Sequence, residues 1–140
     1  MYSDSMFIGE IGSLQKELTD LALQIALEHY EIALDFSHES IKEVEVILSN
    51  LHEKYTADGD EEGIRGIGLE FGFYIAATIQ KNTNSGQVEK DHPSIGENTF
   101  PFNWNGKSIF PCAWCENRIY DGPEDDVSVK YKALVLNEIK

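Results

Sequence analysis

The residues best able to do chemistry sit in "FPCAWCENRI", residues 110–119, where Cys112 and Cys115, the only cysteines, stand three apart. A redox pair of this spacing opens a helix directly after a central strand, where the helix dipole lowers the first thiol's pKa. Here a proline, Pro111, comes first, and no parallel-strand pattern lies upstream. A zinc site needs four ligands, usually with a second pair at defined spacing. The histidines, His29, His38, His52 and His92, are scattered. On a helix the two cysteines share one face with Phe110 and Ile119. The spacing therefore predicts two small apolar side chains packed on one helical stripe, with no metal and no cofactor.

Glu70 is the carboxylate with the most unusual setting. It interrupts an apolar run and projects between Gly66, Tyr74 and Ala77, small neighbours that leave room for a groove. Burial would raise its pKa and suit it to acid or base work; pairing with Arg65 or Arg118 would make it structural. Trp104, near a hairpin tip, is expected to be part exposed and open to a partner or ligand. His92 falls in "KDHPSIGENTF" with Asp91 and Glu97, read as a solvated loop.

Other spacings stop short of a motif. "HEKYT" and "HESIK" begin like a zinc-protease helix, but Thr56 and Lys42 stand where the second histidine belongs. "DGDEEGIRGIGL" has a calcium loop's early acids, yet Leu69 occupies the twelfth position. "GIRGIGLEF" lacks the dinucleotide-binding spacing and a preceding strand. No serine lies in a nucleophile elbow. No catalytic residue is assigned, and the chain is read as a non-enzyme.

These residues need elements to position them. Leu14, Leu18, Leu21, Ile25 and Ile32 recur at helical spacing, with Ser13 as N-cap. A second helix carries Ile41, Val44, Leu48, Leu51 and Tyr55, capped by Ser37 or by a Ser40–Glu43 capping box. The two should form an antiparallel hairpin with its acids outward. A third helix, from about Glu61 to Asn82, is apolar nearly all round and so belongs inside. Gly68, Gly72 and Ala76 repeat every four residues along it, a bare side that predicts close approach of another helix.

"QVEK" reads as a short strand, and "TFPFNWNGKSIFP" as a hairpin turning at Asn105-Gly106. "CAWCENRIY" gives a short helix ending at Asp121-Gly122, and Pro123 the first position of a last one. The prediction is α+β: a helical hairpin and a central Gly-rich helix on a small antiparallel sheet, with C-terminal helices. One domain spans 1–140, with 1–12 a flexible segment.

The net charge of −14 is uneven: residues 1–62 hold 15 acidic and 3 basic side chains, residues 63–140 hold 10 and 8. Such a front repels phosphates and anionic headgroups, arguing against nucleic-acid and membrane partners, and draws a basic protein, with Glu43 and Glu45 among the contact candidates. The start, "MYSDSMFIGEIG", has no basic n-region or long apolar run, so a cytoplasmic chain is expected.

"LDFSHESIKEVEVIL", "GFYIAATIQKN", "FPFNW…FPCAW" and "IYDGPEDDVSVKYKAL" together resemble a group of small bacterial domains of unknown function. Their layout is a helical front, a Gly/Ala-rich central helix, a short sheet with Phe-Pro and Trp, and an Asp-Gly-Pro lead-in to the last helix. Some such domains are similar to immunity proteins that neutralise a competitor's toxin. The resemblance implies a non-catalytic inhibitor of a basic partner. The alternative is an enzyme or small-ligand binder with a pocket beside the central helix around Glu70.

Overall fold

The computed structural model describes residues 4–90 and 100–139, with side chains from residue 11 onward. Helices α1 (Asp4–Tyr30), α2 (Ser40–Asp58) and α3 (Ile64–Thr83) lead into strand β1 (Gln87–Val88) and the β2 (Phe102–Trp104)–β3 (Lys107–Ile109) hairpin. Helix α4 (Pro111–Asp121) follows, then α5 (Val127–Tyr131), which continues through a π-helical turn, Lys132–Leu136, to a last turn at Asn137–Ile139. The fold is α+β, as predicted.

Helix α3 is the axis. Every residue from Phe71 to Ile79 is buried, the all-round apolar run accounting for its central place. Helix α4 lies against its glycine side. A Cβ added at Gly68 would stand 3.1 Å from Glu116 Cβ, and one added at Gly72 would lie 2.6 Å from Cys112 Sγ and overlap that residue's backbone. Helix α1 covers another side of α3, and α2 packs on α4 and α5. Helices α1 and α2 thus have different main partners, and Tyr30 links them by donating to Asn50 Oδ1 at 2.8 Å.

The buried line of α1 is Thr19, Ala22 and Ala26, while Leu21 is exposed. The leucines bracket the contact because the small residues let α1 approach α3. The helix runs continuously from Asp4, so Ser13 is interior to it and caps nothing. Ser40 is the first residue of α2, and Ser37 Oγ accepts its N–H at 3.1 Å. The capping box on Ser40 does not form, because the Ser40 hydroxyl turns inward to the Ser37 carbonyl and Tyr74. Asp58 and Asp60 close successive turns onto the N–H groups of Asp60 and Glu62, leaving Gly63, at φ +82°, to start α3.

The sheet is antiparallel in the order β1–β2–β3, with Phe102 opposite both Val88 and Ile109. Asn105 and Gly106 have φ of +55° and +78°, the double left-handed turn that Asn-Gly favours. Trp104 is 6% exposed, contrary to the expectation of a part-exposed tip. It alternates with Asn103 and faces inward beside the turn, and the arms are too short to carry it clear of the core. Glu138 fastens the last turn to the hairpin tip, accepting from Asn105 at 3.0 Å and reaching Lys107 at 3.8 Å. Pro123 opens a short 3-10 turn and not the last helix; Asp126 caps α5 by accepting from the Ser128 and Val129 N–H groups.

Gly72→Ala should destabilise the protein by about 3 kcal/mol, the upper range for an overpacked core, since backbone blocks the added methyl. Gly66, in the same helix, faces open space, so Gly66→Ala should stabilise by about 0.5–1 kcal/mol. Urea unfolding of the two variants checks the pair.

Candidate functional site

Both cysteines are free and buried on α4, Cys112 directly against Gly72 of α3. The Cys112 thiol donates to the Leu69 carbonyl at 3.7 Å. Burial pushes both thiols well above their ordinary pKa, so neither is a ready nucleophile. Among the described residues no group of three or more His, Cys, Asp or Glu side chains could hold a metal ion.

The structure scatters the other candidates. Glu43 stands exposed on α2. Glu45 and Arg118 form a buried pair: Arg118 Nε donates to Glu45 Oε2 at 2.8 Å, with side chains 3% and 14% exposed. The other oxygen of Glu45 accepts the Val127 N–H at 3.1 Å, so one carboxylate joins α2, α4 and the start of α5. The Nη1 atom of Arg118 is buried without a hydrogen-bond partner. His92 lies outside the described residues.

Glu70 is half-buried, and burial raises its pKa. Its Oε1 has no hydrogen-bond partner. Arg65 reaches Glu116 at 3.4 Å, while Arg118 is committed to Glu45. The carboxylate lines none of the described grooves.

A polar chain that the sequence reading did not pick out crosses the loop between α1 and α2. The Phe36 N–H donates to the Tyr74 hydroxyl at 2.8 Å, and Ser40 Oγ stands 2.6 Å from that hydroxyl. Since Ser40 donates to the Ser37 carbonyl, Tyr74 donates to Ser40, and each hydroxyl gives one hydrogen and takes one. His38 and Tyr131 share a second hydrogen bond at the edge of this cluster. The aromatic rings and serines of "DFSHES" were visible, but not the partners that α3 and α5 bring to them.

Beside this chain runs a groove of about 440 Å³ between α1 and α3, lined by Thr19, Leu23, Phe36 and Ala77 among others. It flanks the central helix but is not the pocket around Glu70 of the alternative reading.

No protein-family model, curated protein or solved structure matches this chain. Among the described residues no helix is long and apolar enough to cross a membrane.

Three measurements check the site chemistry. Native protein at pH 8 should react with an aromatic disulfide reagent only as fast as it opens, with both thiols released on unfolding in urea. Glu45→Ala should cost about 3–5 kcal/mol by stranding Arg118, and Glu45→Leu with Arg118→Met should recover most of that loss. Glu70 has a folded pKa above its unfolded value, so its ionisation weakens the fold as pH rises through that interval. Glu70→Gln should therefore be more stable than wild type at pH 7, with the gap closing below pH 4.5, the ordinary glutamate value.

Proposed function

We propose that the protein is a non-catalytic binding module whose acidic front engages a basic protein, in the manner of an immunity-type inhibitor acting in the cytoplasm. The supporting observation is the distribution of acid. Glu39, Glu43, Glu53 and Asp58 on or beside α2, and Asp60, Glu61 and Glu62 in the turn after it, are all exposed. Residues 1–62 carry 15 acidic against 3 basic side chains. Glu43, Glu53 and Asp58 take part in no ion pair among the described residues. A surface on which acids outnumber the exposed Lys42 and Lys54 speeds encounter with an oppositely charged partner and disfavours nucleic acid and anionic lipid.

Glu45 belongs to the scaffold of this face and Glu43 to its surface. The test is capture of a basic protein from native lysate by wild type and by Glu43→Lys/Glu53→Lys/Asp58→Lys. Wild type should retain it at low salt and lose it at about 0.5 M salt, where screening shortens the reach of exposed charges, and the triple variant should fail at both. Capture that ignores salt and charge reversal counts against this function.

A further inference from the structure

We propose that the groove between α1 and α3 is a binding site for a small monoanionic amphiphile, a carboxylate borne on a short apolar body. Its volume, about 440 Å³, falls within the range of small-molecule sites. Leu23, Ala77 and the Phe36 ring give it apolar walls. Thr19, only 5% exposed, lines it, and the Thr19 hydroxyl has no hydrogen-bond partner. That hydroxyl is itself fully covered, so the groove offers a ligand its apolar walls and its rim charges and not the Thr19 Oγ1.

The rim is built to hold positive charge. Phe36 has φ +63°, a left-handed backbone that an aromatic residue adopts only under constraint. Three contacts supply that constraint: its N–H donates to Tyr74, its carbonyl accepts from Asn82 Nδ2 at 2.8 Å, and its ring stacks on Tyr74 with centroids 4.9 Å apart. The free face of the ring holds Lys81 Nζ at 4.8 Å from its centroid. Lys16 stands on the opposite wall, 3.0 Å from Asp20. Two cations against one anion leave this rim at +1 in a chain of net −14. That local sign selects an anion of single charge, and the apolar walls select one with a hydrocarbon body. The groove is lined by none of Glu43, Glu53 and Asp58, and nothing in its case depends on the acidic front having a partner.

Hexanoate is the probe, titrated into 15N-labelled protein while amide shifts are followed, with hexanamide as its neutral counterpart. The expected result is saturable shifts in the millimolar range at Thr19, Leu23, Ala77 and Lys81. Hexanamide and Lys81→Gln should each weaken binding by about tenfold, the scale of one charge-assisted hydrogen bond. Lys54→Gln, on α2, should leave it unchanged. The proposal is overturned by the absence of saturation, by shifts confined to other residues, by equal binding of the amide, or by indifference to Lys81→Gln. The amide spectrum of each variant shows directly that it has folded.

Discussion

The seating of α4 on the glycine side of α3 is the constraint from which the rest of the arrangement follows. With Gly68 beneath Glu116 and Gly72 beneath Cys112, the α4 backbone comes closer than any side chain on α3 would permit. Glycine inside a helix costs about 1 kcal/mol relative to alanine, and the α3–α4 contact is what offsets two of them. That contact also buries Cys112 against Gly72, and a thiol held away from water is the reverse of what a reactive cysteine requires.

The same seating brings Arg118 to α2. Its guanidinium enters the interior and is met by Glu45, whose second oxygen takes the Val127 N–H. A buried pair of this kind adds little net stability over an apolar substitute, because both ions lose their hydration. It does fix relative position, since a carboxylate shared between Arg118 and Val127 accepts only one placement of α2, α4 and α5. The Phe36–Tyr74–Ser40–Ser37 chain acts similarly at the other end of the core, tying the α1–α2 loop to α3.

Local and periodic features were legible in the sequence. The Asn105-Gly106 turn, the buried run from Phe71 to Ile79 and the bare face of Gly68 and Gly72 each follow from one residue's conformational or steric character. Features that depend on a distant partner were not. Ser40 looks like an N-cap until Tyr74 offers its hydroxyl a partner inside the core. Leu14, Leu18 and Ile25 of the expected stripe do pack on the core, partly buried, but Leu21 is exposed and the fully buried line is Thr19, Ala22 and Ala26, which only the approach to α3 explains. Glu45, read as a surface acid, needed Arg118, 73 residues away, to be seen as interior. The groove beside α3 is not the one expected from small neighbours around Glu70. Its actual walls depend on the Phe36 loop, whose left-handed backbone no propensity suggests.

Two interfaces of α3 therefore differ in kind. Toward α4 the fit is limited by backbone overlap, and an added methyl group has no space. Toward α1 the contact is made by alanines and a threonine, while the longer side chains stand to either side, so the helices meet along a line and leave a hollow beside it. Buried polar atoms without a partner lie on both sides of α3: Thr19 borders the hollow, Glu70 lies seven residues before Ala77, and Arg118 Nη1 sits on α4. Tight packing beside α1 would have closed the space beside Phe36 and Lys81. Space for a ligand thus belongs to the α1 side, and shape-holding belongs to the α4 side.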